Sequence, residues 1–219
     1  MKDRILVVAV HPDDETLGCG GTLLKHKSTN DEIHWLICTT IDEKHDYYDV
    51  REKEISQVSE IYDFDSVHNL RLKTMQVDEL SMSDLIGKIS KVINEVQPNI
   101  IYLPFKSDVH SDHRKIFDAA FSCTKSFRYP FIKKIYMMET LSETEFAPST
   151  KEDSFIPNVF VDISEFLEKK IEIMKIFASE IALHPFPRSE KNLRALATFR
   201  GASSGCEYAE SFVLLKEIQ

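Results

Sequence analysis

The chain has few of the residues and patterns that mark fibrous, disordered or membrane proteins. Its 219 residues include six glycines and eight prolines, too few for a collagen-like or low-complexity protein. No apolar run approaches the roughly 20 residues of a membrane-spanning helix. The run that begins at Ile5 is also shorter than the apolar part of a signal peptide. We therefore expect a cytoplasmic protein without a transmembrane segment.

Paired cysteines and basic clusters are scarce as well. The four cysteines lie far apart and show no zinc-site spacing, so we expect reduced thiols. The formal net charge is −9, and the largest basic clusters are pairs such as Lys169–Lys170. Nucleic acid is not an expected partner, because phosphate backbones are bound by clustered lysine and arginine. The length predicts a single domain that spans residues 1–219.

Short apolar runs alternate with segments of helical spacing along most of the chain. The first run, Ile5–Val10, is rich in β-branched residues, as are strands buried in a parallel sheet. It ends at His11 and Pro12, and helical spacing begins at Asp14. The same patterns predict strands at 33–38, 66–70, 100–103, 135–138 and 159–163, and an edge strand at 211–215. They predict helices at 50–62, 85–96, 112–126, 164–181 (with Ser164 as its N-cap) and 192–199. This alternation is typical of a doubly wound, mostly parallel, Rossmann-like α/β sheet with helices on both faces.

Two polar motifs follow two of the predicted strands. His11-Pro12-Asp13-Asp14-Glu15 comes directly after the first strand, and His110-Ser111-Asp112-His113 comes shortly after the strand at 100–103. In an open α/β sheet, ligands bind beyond the carboxyl ends of the strands. Two parallel strands of one sheet therefore bring both motifs to the same edge.

The residue types in these motifs suit a catalytic metal ion. His11 and Asp14 are three residues apart across a strand-to-helix turn, which lets an imidazole and a carboxylate converge on one cation. His113 supplies a third ligand. Two histidines and one carboxylate, with water in an open position, form a catalytic zinc arrangement. Because Fe²⁺ accepts similar donors, the ligand set predicts Zn²⁺ with Fe²⁺ as an alternative.

The remaining polar residues of the two motifs are candidates for the catalytic steps. A metal ion activates water, and Asp13 is placed to act as the general base. His110, as an imidazolium, is a candidate for stabilising the oxyanion of a tetrahedral intermediate. Asp112 is expected to hold and charge His110, as carboxylates behind catalytic histidines do.

These residues resemble the signatures of a known family. The segment Val8–Glu15, followed by Gly20-Gly21, resembles the first signature of the PIG-L (LmbE-like) N-acetylglucosamine deacetylases, and His110–His113 resembles the second. Arg51-x-x-Glu54 and the tail from Pro185 to Phe212 are similar to family segments too, so the resemblance covers nearly the whole chain. It implies Zn²⁺-dependent removal of an acetyl group from an N-acetylated amino sugar. It also implies the metal ligands and roles given above, with Arg51 in contact with the sugar or its appended group.

Some positions keep more than one interpretation. Some family members have a tyrosine shortly before the second motif that polarises the carbonyl, but residues 105–108 contain none. The oxyanion then falls to His110 or to a side chain from elsewhere. Arg188 and Arg200 either bind an anionic group of the substrate or hold the tail to the sheet by ionic contacts. Arg51 either binds substrate or pairs with an acidic neighbour on its helix.

Other functions are compatible with the same metal site. A single metal ion also supports the hydrolysis of an ester or a phosphoester. A non-catalytic module that binds metal and sugar is a further alternative, although it has no need of the extra carboxylate of Asp13. We expect a small N-acetyl sugar conjugate as the partner, with a homo-oligomer as a possible assembly.

Overall fold

A seven-stranded sheet organises the computed structural model, which describes residues 2–219. The strands are β1 (Arg4–Ala9), β2 (Glu32–Thr40), β3 (Ser66–Lys73), β4 (Ile100–Leu103), β5 (Lys134–Met138), β6 (Val159–Asp162) and β7 (Ala209–Glu217). The helices are α1 (Asp14–Ser28), α2 (Tyr48–Tyr62), α3 (Met82–Val96), α4 (Ser111–Ser122), α5 (Leu167–Met174) and α6 (Glu190–Ser204), and a 3₁₀ turn covers Val77–Glu79. Within residues 2–219, no helix combines the length and the apolar character needed to cross a membrane.

The sheet is mostly parallel, as the sequence predicts. Its strand order is β3-β2-β1-β4-β5-β7-β6. Strands β1 to β5 are all parallel to one another, and β7 is antiparallel to both β5 and β6. The chain leaves β1 towards β2 and β3 on one side and later returns to place β4 and β5 on the other side. This reversal opens a crevice beyond the carboxyl ends of β1 and β4, where open α/β sheets bind ligands.

Helices cover both faces of the sheet and explain the continuous apolar run of β1. Leu6 and Val8 pack in the hydrophobic cluster with residues of α3 and α4. Ile5 and Val7 pack in the opposite cluster, with residues of α1, α2 and α5. Because side chains alternate between the two faces of a strand, a strand covered on both sides is apolar at every position.

Helix α1, which carries the first motif, is interrupted in its middle. At Cys19 the backbone leaves helical geometry, with φ −148° and ψ 22°. The carboxylate of Glu210 on β7 accepts hydrogen bonds from two backbone N–H groups just beyond the break, including that of Gly21 at 2.8 Å. Before the break, Lys170 Nζ of α5 donates to the carbonyl of Leu17 (2.9 Å) and also to Glu210 (2.7 Å). A buried ion pair thus satisfies backbone groups that an intact helix pairs internally.

Helix α5 is shorter than the predicted helix at 164–181. Ser164 does not cap it, because its hydroxyl donates to the Asp162 carboxylate and accepts from the backbone N–H of Tyr208. The helix begins only at Leu167 and ends at Met174. The prediction of one long helix was therefore wrong, and residues 175–189 form a series of turns beside the crevice.

The last helix and strand also differ from their predictions. Ser189 caps α6, and the helix continues past Phe199 to Ser204 before Gly205 ends it with φ 78°. Strand β7 is not an edge strand, because it lies between β5 and β6. The first part of β7, Ala209–Phe212, pairs with β6, and the part from Phe212 to Glu217 pairs with β5, so β6 forms that edge of the sheet.

Candidate metal centre and active-site cleft

A strained turn between β1 and α1 positions the first motif. Asp13 has φ 135° and ψ −24°, a conformation that costs an L-residue about 1–3 kcal/mol and is concentrated at functional sites. The turn brings the backbone N–H of His11 to 2.8 Å from Asp14 Oδ2, to which it donates. Asp13 and Asp14 are both buried. The turn therefore holds two adjacent carboxyl groups inside the protein, at the end of β1.

The second motif forms the start of α4. His110 is the N-cap residue, and its Nδ1 accepts a hydrogen bond from the backbone N–H of Asp112 (3.1 Å). His113 lies in the first turn of the helix and is fully buried. Because β1 and β4 are neighbours in the sheet, the two motifs face each other across the crevice, as expected from the sequence.

The three predicted ligands converge. His113 Nε2 lies 3.3 Å from both Asp14 Oδ2 and His11 Nδ1, and the two latter atoms are 3.9 Å apart. Ligands of a tetrahedral zinc ion, at about 2.05 Å from the metal, are about 3.3 Å from one another. Burial opposes ionisation of Asp14, but the charges of His113 and His11 outweigh it and lower its pKa. The donor set, its spacing and the ionised carboxylate all fit a divalent metal ion.

Asp108 holds the buried ligand His113 in place, and the sequence analysis missed this residue. Its Oδ2 is 2.8 Å from His113 Nδ1, and its Oδ1 accepts a hydrogen bond from Thr144 Oγ1 (2.7 Å). When Asp108 holds the proton on His113 Nδ1, the lone pair of Nε2 points at the other ligands. Carboxylates orient metal-binding histidines in this way. The only signal in the sequence is an aspartate shortly after a strand and before the motif.

We expect Asp108→Ala to weaken metal binding by about 10- to 100-fold, because His113 loses the partner that fixes its orientation. Competition with a chromophoric chelator measures the change in affinity. Asp118→Ala is the matched control, because it removes an exposed carboxylate from α4, the helix that carries His113. Equal metal affinities of the Asp108 variant and the control would contradict this role of Asp108.

Asp13 lies beside the ligands without being one of them. Burial raises its pKa, and the neighbouring charge of Asp14 raises it further, while Arg188 acts in the opposite direction. Arg188 Nη1 is 3.8 Å from Asp13 Oδ2. A carboxyl group with a raised pKa, next to a metal site, has the properties of a general base.

His110 and Asp112 do not form the expected pair. The Asp112 carboxylate accepts from the backbone N–H of Met75 (2.8 Å), and its Oδ2 is closer to His11 Nε2 (3.5 Å) than to His110 Nδ1 (4.0 Å). Because His110 Nδ1 already accepts a hydrogen bond, the ring proton lies on Nε2. Burial and the charge of His11 lower the pKa of His110. The lowered pKa favours a neutral imidazole, with its proton on Nε2, over the expected imidazolium, and Asp112 lies nearer to His11 than to His110.

A cleft of about 300 Å³ opens over the metal ligands. We call it the active-site cleft. It is lined by His11, Pro12, Asp13, Asp14, Ile41, Arg51, Thr74, His110, Glu143, Glu180 and Arg188. None of these residues is a tyrosine, and His110 lines the cleft with its ring against that of His11, 4.7 Å between ring centroids.

Two of the three predicted substrate-binding arginines line the cleft, and both contact Glu180. Arg51 Nη2 donates to the Glu180 carboxylate and to Ser179 Oγ (3.0 Å). Arg188 Nη2 donates to Glu180 Oε2 and its Nε donates to the Glu180 carbonyl, both at 2.9 Å. Arg51 Nη1 also donates to the carbonyl of Pro12 (3.3 Å), which ties it to the turn of the first motif.

Arg200 does not reach the cleft. Its Nε and Nη2 donate to the two carboxylate oxygens of Glu139 at 2.9 and 2.6 Å, and Ser211 Oγ donates to the same carboxylate. A bidentate pair of this kind satisfies the guanidinium group. The expectation of substrate contact is therefore corrected: Arg200 holds α6 to the end of β5.

Glu143 also lines the cleft, and the sequence did not predict this. It lies in the loop after β5, and its Oε2 is buried without a hydrogen-bond partner. Burial raises its pKa to about 7, against the opposing charge of His113. No motif marks the residue in the sequence, because the loop brings it to the cleft from 30 residues beyond His113.

The family of the chain follows from a direct comparison. The family model of PIG-L, described as GlcNAc-PI de-N-acetylase, matches residues 6–124. These residues contain both motifs and every ligand of the candidate metal centre. The chain belongs to the PIG-L family.

Similar proteins support this assignment, and they match most of the chain. Diacetylchitobiose deacetylase of Thermococcus kodakarensis is 24% identical over 94% of this chain and 81% of its own length. A probable N-acetyl-alpha-D-glucosaminyl L-malate deacetylase 2 of Bacillus anthracis is 23% identical over 82% of each chain. Among solved structures, the conserved protein TT1542 of Thermus thermophilus has the same fold, with a TM-score of 0.80, 23% identity and coverage of 99% of this chain and 96% of its own.

Proposed function

We propose that this PIG-L protein is a metal-dependent deacetylase that removes the acetyl group from an N-acetylated amino sugar or its conjugate. One observation carries the proposal. Within a single cleft, three convergent ligand atoms lie next to a buried carboxyl group, Asp13, and a neutral imidazole, His110. Amide hydrolysis needs an activated water, a base and a donor for the developing oxyanion, and these groups supply the protein's share of each.

The ligand set fits Zn²⁺, and Fe²⁺ accepts the same donors. We propose that His11, Asp14 and His113 hold the ion. When bound, such an ion acts as a Lewis acid and lowers the pKa of water. Asp108 fixes the ring of His113 from behind through a hydrogen bond, and the Asp112 carboxylate lies 3.5 Å from His11 Nε2.

The protein's own groups then handle the protons of the reaction. The Asp13 carboxylate accepts a proton from the attacking water and returns it to the nitrogen of the leaving amine, so its own charge is restored in each cycle. His110 Nε2–H donates a hydrogen bond to the acetyl oxygen as negative charge develops there. The products are acetate and the free amino sugar.

The volume of the active-site cleft is in the range of small-molecule sites. The names of the relatives point to N-acetylated sugars, one in a disaccharide and one attached to malate, and we carry this class of substrate over as a proposal. The names leave open whether the rest of the substrate is neutral or anionic. A cytoplasmic location and a homo-oligomeric assembly stay predictions.

Acetate release from N-acetylglucosamine conjugates by zinc-loaded protein tests the proposed reaction. We expect turnover of the acetamido sugars, and none of matched acyl esters or phosphoesters in the same panel. Release of alcohol or phosphate without acetate from the amides would replace the proposal with an esterase or phosphoesterase. Bound metal and sugar affinity with no turnover would favour the binding module.

A further inference from the structure

One end of the active-site cleft is built around one carboxylate shared by two arginines. Glu180 joins Arg51 and Arg188 through its side chain and also through its carbonyl. We call these three residues the arginine end of the cleft. Arg51 is almost fully buried, and Glu180 keeps 24% of its side chain exposed. In the Arg51–Glu180 pair, the Glu180 carboxylate rather than the Arg51 guanidinium is therefore the group that is open to a ligand.

Charges at the arginine end are already balanced. Burial opposes ionisation of Glu180, but the Ser179 hydroxyl, Arg51 and Arg188 outweigh it, so its pKa is lowered. Behind the cleft, Arg51 Nε lies 3.5 Å from Glu54 Oε2. Two guanidinium groups thus face two carboxylates.

The remaining cleft residues add no free cation at this end. Among the residues of 2–219 that line the cleft, Arg51 and Arg188 carry the only guanidinium or ammonium groups. The carboxyl group of Asp13 lies 3.8 Å from Arg188, and Glu143 also lines the cleft. The residues that would hold a metal ion, His11, Asp14 and His113, lie beside Asp13.

This arrangement distinguishes neutral from anionic ligands. A carboxylate or phosphate that pairs with both arginines has to displace Glu180 from them, and each lost hydrogen bond is charge-assisted. The remaining nitrogen of Arg188, Nη1, lies 3.8 Å from Asp13 Oδ2, so an anion bound there meets a carboxyl group. The hydroxyl groups of a neutral sugar, in contrast, donate to the partly exposed carboxylate of Glu180 without displacing any group.

We propose that the active-site cleft selects neutral N-acetyl sugar conjugates over anionic ones, and that Glu180 sets this preference by occupying both arginines. The inference rests on the proposed function and deepens it. It also revises the prediction from sequence that Arg188 receives an anionic group of the substrate.

Two glycosides of N-acetylglucosamine of nearly equal size test the proposal, one with a 2-hydroxyethyl and one with a carboxymethyl aglycone. For the unaltered protein we expect kcat/KM to be about tenfold or more higher for the neutral glycoside, as expected for the loss of one or two charge-assisted hydrogen bonds. Glu180→Gln should reduce this ratio by about tenfold or invert it, since it releases positive charge at the arginine end. Glu168→Gln is the matched control, because it makes the same change in net charge in an exposed pair with Arg194.

Arg188→Gln provides a second variant with the opposite expected direction. It removes a cation and leaves Glu180, so the ratio should rise further in favour of the neutral glycoside. Both glycosides share the acetamido group, and any effect of Arg188 on the reaction itself cancels in the ratio. An equal rate for the two glycosides in the unaltered protein, or a ratio that neither variant changes, would overturn the proposal.

Calorimetric binding of both glycosides to the Asp13→Asn variant separates this inference from the proposed function. If no acetate is released by the unaltered protein but the neutral glycoside binds more tightly, the reaction is wrong and the charge preference stands. If acetate is released from both glycosides and they bind equally, the reaction stands and the charge preference is wrong.

Discussion

Asp13→Asn is expected to lower kcat/KM for acetate release by about 10²- to 10⁴-fold, the usual contribution of a general base. An amide of the same size keeps the turn but has no lone pair basic enough to take a proton from water. The three metal ligands are unchanged, so metal content should stay at the level of the unaltered protein. Acetate release and elemental analysis of the same sample measure both quantities.

Asp63→Asn is a matched control for this substitution. Asp63 also has a positive φ, 55°, and its side chain is 81% exposed at the end of α2, far from the cleft. Asparagine tolerates such backbone conformations, so both variants should fold. Unchanged acetate release in the Asp13 variant would remove this residue from the mechanism, and loss of metal along with activity would make it a ligand instead of the base.

His113→Ala is expected to abolish stoichiometric metal binding and to lower kcat/KM by more than about 10³-fold. The ion supplies several kcal/mol of charge stabilisation, and each 1.36 kcal/mol is about tenfold in rate. The substitution removes the buried ligand that lies 3.3 Å from each of the other two. Two ligands are left, one of them on a partly exposed ring.

Chelation of the unaltered protein gives the complementary result. Activity should fall to background after dialysis against a chelator and return on addition of Zn²⁺, whereas the His113 variant should not recover. His45→Ala removes an exposed histidine from the loop before α2 and should behave as the unaltered protein does. Full activity in the chelated protein would contradict a catalytic metal at this site.

The sheet and the metal ligands could be predicted from the sequence because both depend on local patterns. The run Ile5–Val10 is apolar at every position since helices cover both faces of β1. His11 and Asp14 lie directly after β1, His113 lies in the helix that follows β4, and parallel neighbours place their carboxyl ends together. Their convergence needed no knowledge of side-chain packing.

The roles of the residues around the ligands could not be predicted in this way, because they depend on contacts between distant segments. Asp112 lies nearer to His11 than to His110, and a backbone N–H from Met75, 37 residues away, holds its carboxylate. Glu180 lies at residues that were predicted as the end of a long helix and instead form turns beside the cleft. Arg200 and Arg188 look alike in the sequence, and only their partners, Glu139 and Glu180, separate them.

The interruption of α1 makes the catalytic end of the molecule depend on the last strand of the chain. Glu210, which caps the second half of α1, is 189 residues from Gly21, and Lys170 is 153 residues from Leu17. A buried charge that lacks its partner costs about 3–5 kcal/mol, so neither residue is stably buried without the other. The helix that begins with Asp14 therefore gains its full support only after β7 has joined the sheet. During synthesis the first motif is made early, whereas the ion pair that supports its helix forms only after both Lys170 and Glu210 have been made.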